Sequence, residues 1–173
     1  MIIAETDRLI LKEFSIEDTE GFYRLNNDPL VLQYTGDKPF ANVDETKRFI
    51  ESYNHYQKHG FGRWSVYIKS ENKYVGFCGL RVSEESGETD IGFRILREYW
   101  RKGIGYESSV AALELGFNQF KLENIVARAM KDNLASHGVI KKLGMLPVDD
   151  FVEEGVSWTQ YNLSAKEFSL ATR

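Results

Sequence analysis

Scarcity sets the first bounds on this chain. A single cysteine, Cys78, in 173 residues excludes an intrachain disulfide, which fits a reducing compartment. The three histidines, His55, His59 and His137, stand without metal-ligand spacing to any cysteine or carboxylate partner, so no metal is expected. Positive charge is short as well. Against 26 Asp and Glu there are 22 Lys and Arg, a formal net charge of −4, and non-specific nucleic-acid binding needs a basic face instead. No apolar run approaches the roughly 20 residues that cross a bilayer, and the opening Met1–Arg8 turns charged too early for a signal peptide. No linker, repeat or low-complexity tract interrupts residues 1–173. The expectation is one soluble, cytoplasmic domain that touches neither membrane nor nucleic acid.

What is present is an aromatic-rich chain (13% Phe, Trp and Tyr) with apolar residues spread along its length, enough for a core without staples. Arg8–Lys12 reads as a short strand. Ser15 with Asp18, and Asn42 with Glu45, carry the spacing of helix N-caps, and Asn26–Pro29 breaks the first helix. Behind the second cap, Phe49, Ile50, Tyr53 and Tyr56 form one apolar stripe of a helix that Gly60 ends. Residues 63–68 and 73–80 flank the turn Ser70–Asn72 as a hairpin, and 89–95 is a third strand. A helix with Val110, Leu113, Phe117 and Phe120 on one side follows, then a strand over 124–129, a helix over 136–143 closed by Gly144, and a strand over 158–163 before a polar tail. Early hairpins with later helical crossovers predict an α+β fold, a three-layer arrangement of a mixed sheet flanked by helices.

The run Tyr99-Trp100-Arg101-Lys102-Gly103-Ile104-Gly105-Tyr106 stands directly before the long helix. Glycines at 103 and 105 let backbone approach a ligand closely. Successive amides there, together with a helix start, suit an anion, and Arg101 and Lys102 supply counter-charge. Taken alone, the run fits a phosphate cradle and an ordinary charged turn equally well.

Several local sequences, in this order and over nearly the whole chain, resemble the GNAT superfamily of acyl-CoA N-acyltransferases, and among them the ribosomal-protein-alanine N-acetyltransferase branch. They are Thr6–Leu11, Asn27-Asp28-Pro29, Asp90-Ile91-Gly92-Phe93, the 99–105 loop, Asn133-Leu134-Ala135-Ser136 and Lys142–Met145. The resemblance implies a sheet splayed between the strands 89–95 and 124–129, with acetyl-CoA as acyl donor. Its pyrophosphate would lie on Arg101, Lys102, Gly103, Ile104, Gly105 and Tyr106. Its pantetheine arm would add along Phe93, Arg94 and Ile95, and an amide near Phe93 would polarise the thioester carbonyl. Gly92 would mark a bulge or a close approach.

By the same likeness Asp90 is the candidate base for the acceptor amine, through water because Asp is short; pairing with a cation is the alternative. Ile140 occupies the place where many relatives carry a tyrosine acid. Ser136 therefore inherits the position beside the sulfur, with a simple helix cap as its alternative, and Asn133 would position the cofactor. Trp100, at a place often filled by Gln or Arg, reads as a packing residue. Glu84-Glu85, Asp149-Asp150 and Glu153-Glu154 read as solvated loops that would favour a cationic amine if they rimmed the cleft. The implied activity is N-acetylation of a primary amine, on a protein N-terminus or a small molecule, by a monomer or homodimer. A CoA-binding module without catalysis is the alternative. A nucleotide-binding regulator fits less well, since no Gly-Lys-Ser/Thr follows the glycines.

Overall fold

Residues 1–171 are described by the computed structural model. Its strands are β1 (Ile2–Glu5), β2 (Leu9–Lys12), β3 (Arg63–Ile68), β4 (Lys73–Val82), β5 (Thr89–Ile95), β6 (Asn124–Met130), β7 (Leu146–Glu153) and β8 (Val156–Ser164). Its helices are α1 (Thr19–Leu25), α2 (Pro29–Leu32), α3 (Val43–Ser52), α4 (His55–His59), α5 (Ile104–Glu114), α6 (Leu134–Lys142) and α7 (Ala165–Ala171). The strands form one sheet in the order β1-β2-β3-β4-β5-β6-β8-β7. Every pairing is antiparallel except β5 with β6, which is parallel. The predicted mixed sheet with flanking helices is what forms.

Alternation along β4 shows how the layers are assigned, because successive side chains leave a strand on opposite faces. Phe77 stacks on Phe22 of α1, while its neighbour Cys78 faces Ser109 of α5. Leu9, Leu11, Trp64, Val66, Val75, Leu80, Leu113, Ile125 and Leu163 are sealed from solvent and form the core beneath α5. Ser15 and Asp18 make the expected reciprocal cap, and Asp18, itself buried, also accepts hydrogen bonds from Ser65 Oγ at 2.6 Å and from the Tyr67 hydroxyl. That carboxylate ties the α1 layer to the sheet.

Three expectations need correction. The apolar stripe does not lie on one helix: Tyr53 takes an extended conformation (φ −69°, ψ 107°) and separates α3 from α4. The acidic stretch around Asp149-Asp150 is not loop but strand β7, at the sheet edge, paired to β8. The tail through Ala171 is helix α7, with Phe168 stacked on Phe117. Strand β1 was not anticipated either.

Helix α4 is docked by His55. Its Nδ1–H donates to Phe61 O at 2.5 Å and its Nε2 accepts from Val82 N at 3.0 Å, an arrangement only the neutral ring satisfies. Burial pushes its pKa below the ordinary value of 6.5. The unfolded chain therefore takes up a proton first as pH falls, so this contribution is whole above pH 6.5 and declines below it. Urea denaturation across pH 7.5 to 5.5 should show falling stability, with a shallower fall in His55→Gln.

Candidate active site

The sheet opens where its single parallel pair ends. Only Asp90 and Val126 are in register between β5 and β6, and beyond them the facing edge of β5 has no partner strand. Backbone N–H and C=O groups on such an edge are a template for an extended chain. A cleft of about 860 Å³ occupies the opening, bordered by Asp90, Phe93, Arg94, Asn133 and Ser136 among others. Of the residues assigned to the pantetheine arm, Phe93 and Arg94 border this cleft, whereas the Ile95 side chain is buried in the core.

Arg94, at the border of the cleft, is tied to the end of α1 and to the connection after α2. Its guanidinium donates to Asn26 Oδ1 at 2.7 Å and pairs with Asp37, which draws the connection after α2 against the cleft. That connection contributes Tyr34, Thr35, Gly36 and Asp37 to the lining.

The loop before α5 has the geometry of an anion cradle. Arg101 and Gly103 both have positive φ (60° and 76°), so the backbone reverses twice in three residues, and a side chain at 103 would be strained. Glu107 N reaches back to Gly103 O at 3.0 Å. The amides of Ile104, Gly105 and Tyr106 belong to the helix's first turn, where N–H groups have no intrahelical acceptor.

The loop is braced from outside. Arg8 donates to Lys102 O at 2.8 Å and to Glu107 Oε2 at 2.6 Å, and Thr6 donates to Glu107 Oε1 at 2.6 Å. Burial raises the Glu107 pKa, but Thr6 and Arg8 outweigh it and hold the carboxyl below its ordinary value. Lys142 lies over the Tyr106 ring at 4.1 Å, at the gap between α5 and α6. Trp100 is no core residue: it is 41% exposed, and its indole N–H fixes the loop to Ile95 O at 2.7 Å.

Asp90 stands at the parting of the strands and is buried. Arg63 Nη2 lies 2.5 Å from Oδ1, and Arg81 Nη2 and Arg128 Nη1 lie 3.3 and 3.8 Å from Oδ2. Burial pushes this carboxyl up, yet Arg63, Arg81 and Arg128 outweigh it and hold it below the ordinary carboxylate range. Both oxygens are therefore engaged, and a carboxylate so stabilised is a weak base. The close approach expected at Gly92 is real but is made by Arg63, whose Nη2 would stand 2.6 Å from a Cβ there. Sequence patterning missed these three arginines because their convergence is a property of strand register.

Asn133 caps α6. Its Oδ1 accepts from Ser136 N at 3.3 Å and its Nδ2 donates to Ser136 Oγ at 2.9 Å. With its oxygen accepting, the Ser136 hydroxyl has its own proton to direct toward the cleft it borders. His137, next along, is a bracket: Nε2–H donates to Met130 O at 2.9 Å and Nδ1 accepts from the Tyr161 hydroxyl at 2.6 Å.

Glu84-Glu85, in the turn after β4, and Glu153-Glu154, at the end of β7 and in the turn after it, both border the cleft, with Phe151 and Trp158 beside the second pair. Among the described residues no group of three or more His, Cys, Asp or Glu side chains is placed to hold a metal. No helix among them is long and apolar enough to cross a membrane.

The sequence and the fold are similar to those of known proteins. The model of the acetyltransferase (GNAT) domain matches residues 8–146. An uncharacterized N-acetyltransferase, p20, of Bacillus licheniformis is 29% identical over 153 residues, covering 87% of this chain and 83% of its own. The crystal structure of a GNAT-family acetyltransferase from Bacillus anthracis superposes with a TM-score of 0.82 at 24% identity, over 96% of this chain and 99% of that one. Spermidine N-acetyltransferase from Vibrio cholerae, solved with CoA and spermine, superposes with a TM-score of 0.82 at 17% identity, over 95% and 99% of the two chains.

The arginine cluster generates a stability prediction. Asp90→Asn leaves three guanidinium groups around a neutral amide and should cost about 3 kcal/mol or more at pH 7. Because the folded pKa lies below the unfolded value of about 3.9, the wild-type advantage is present above pH 4 and is lost as pH falls through the folded value. Denaturation curves for the two proteins should therefore converge in acid.

Proposed function

The chain belongs to the acetyltransferase (GNAT) family, and we propose that it transfers the acetyl group of acetyl-CoA to a primary amine by direct attack in a ternary complex. The observation that carries this reading is the parting of β5 from β6 beyond Asp90 and Val126, with a phosphate-shaped loop at one end and an acid-rimmed cleft at the other. The pyrophosphate sits on the amides of Gly103 to Tyr106, with Arg101 and Lys102 as counter-charges. The arm pairs with the edge of β5 as an added strand would, and an amide near Phe93 meets the thioester oxygen as charge builds on it.

The acceptor must lose a proton before it attacks, since alkylammonium pKa values lie near 10. With both Asp90 oxygens held by arginines, that proton leaves through water, and Asp90 acts chiefly by fixing Arg63, Arg81 and Arg128 beside the reacting centre. The Ser136 hydroxyl supports the departing thiolate with a hydrogen bond rather than a full proton, because an alcohol is a poor acid. Asn133 holds that serine in place.

Four carboxylates at the cleft mouth, Glu84, Glu85, Glu153 and Glu154, favour an acceptor with positive charge beyond the reacting amine. Spermidine-like polyamines suit this best, and basic peptide N-termini are the other class. A specific observation favours a second reading, a CoA-binding module without turnover: Ile140 stands where many relatives carry an acid.

Calorimetry with acetyl-CoA, followed by thiol release over polyamines, N-terminal peptides and aminoglycosides, separates the readings. We expect binding and turnover, fastest with polyamines. Binding without thiol release on any amine would leave the module, and preference for ATP over acetyl-CoA would end both. Gly103→Glu should weaken acetyl-CoA binding by at least about 100-fold, since the side chain strains the loop and adds a repelling charge; unchanged affinity would remove the loop from the donor site.

A further inference from the structure

The connection between α2 and α3 crosses the opening of the sheet instead of running past it. Asp90 and Val126 are the pair in register between β5 and β6, and Arg94 and Met130 each stand four residues further on (90 to 94, 126 to 130), one on either side of the gap. Arg94 holds the connection from the β5 side through Asp37. Gly36, beside Asp37, lies against the other side: a Cβ there would stand 3.8 Å from both Met130 Cε and Trp158 Cζ2. Met130 and Trp158 are cross-strand partners on β6 and β8, so they present one surface. Two adjacent residues of the connection thus engage both lips of the opening.

Local structure keeps the connection on this path. Thr35 N and Thr35 Oγ1 both donate to Leu32 O at 3.0 Å, and Asp37 N donates to Thr35 Oγ1 at 3.1 Å. Gly36 has φ 74°, where a side chain would be strained. The face it covers follows from alternation along β5. Phe93 packs toward the loop before α5, where a Cβ at Gly105 would stand 2.9 Å from its ring. Arg94 is on the opposite face, because its cross-strand partner Phe77 stacks on Phe22 of α1. On that face the Asp90 cluster closes one end of the opening and the connection closes the other, about 13 Å apart along the strands.

We propose that residues 34–37 are a strap over the acceptor side of the cleft, latched by Arg94 on Asp37, which admits amines on unbranched chains and rejects those branched beside the nitrogen. The strap presupposes the acetyl-CoA reading of the cleft: with the donor's phosphates on the α5 face, direct attack brings the amine from the face the strap crosses. A branch beside the nitrogen then collides with the strap or with Met130 and Trp158. Arg94 and Asp37 are positioning residues, which hold the strap and do not touch the acceptor.

Asp37→Asn and Arg94→Met each release the latch, so hydrogen exchange over residues 33–38 should quicken in both while the central strands keep their protection. Thiol release is compared for 1,4-diaminobutane and 2,5-diaminohexane, the same diamine with a methyl branch beside each nitrogen. Wild-type protein should favour the straight diamine about 10-fold or more, the scale of one methyl group in a close-fitting site. In each variant that ratio should shrink about 3-fold or more through the KM of the amine, with the KM of acetyl-CoA unchanged, and the double variant should go no further than the singles. Equal rates for the two diamines in wild-type protein, a ratio unmoved in both variants, or unchanged exchange over 33–38 would overturn the proposal. So would a lower diamine KM in Arg94→Met, because the freed Asp37 carboxylate would then be binding the acceptor itself. Wild-type protein that binds no acetyl-CoA, or releases no thiol with any amine, would end the acetyl-CoA reading and the strap's role with it.

Discussion

One carboxylate joins four neighbouring strands. Asp90 on β5 meets Arg63 from β3, Arg81 from β4 and Arg128 from β6. Arg128 continues to Glu88 at 2.7 Å and to Gln160 of β8 at 3.0 Å. Two sheet edges can diverge reproducibly only if they are held on one side of the point where they part. Asp90 is the last residue of β5 in register with β6, so the knot lies at the vertex of the opening. Desolvating so many charges contributes little net stability. What it supplies is a defined geometry: guanidinium groups have planar, directional donors, and they leave the strands little freedom to slide.

The loop before α5 depends on a brace of the same kind. Its shape is set by residues almost a hundred positions earlier, through Arg8 and Thr6 on Glu107 and Arg8 on Lys102 O. The charges that serve the loop's architecture are therefore consumed by each other. Arg101 and Lys102, on the loop itself, stay exposed. The brace thus draws on neither of these two side chains, and on the proposed reading the loop keeps its form before an anion arrives.

Features encoded within a few residues were legible in the sequence. The loop 99–106, the caps at Ser15 and Asn42, and the strand Asp90–Phe93 each carry a local signature, and the elements that were found fell in the right order; the cap of α6 was expected at Ser136 and is made by Asn133. Features made by distant pairing were not. The sequence left Asp90 open between a base and a partner of cations, because nothing in the chain shows that residues 27 positions before and 38 after it will converge there. Strand β7 was hidden because its pattern, Leu-Pro-Val-Asp-Asp-Phe-Val-Glu, is exposed along almost its whole length; an edge strand with charges is protected from mispairing and by that same protection resembles a loop. The break at Tyr53 escaped notice because a stripe of aromatics continues across it.

In the proposed reaction the carboxylates at the cleft mouth act on what leaves as well as on what enters. Acetylation turns a charged ammonium into a neutral amide, so an acceptor gives up one positive charge during its stay. The field of Glu84, Glu85, Glu153 and Glu154 that drew it in then holds it less firmly. In the proposed reaction the chemical step itself thus eases the release of the product, through acidic residues set apart from the loop before α5.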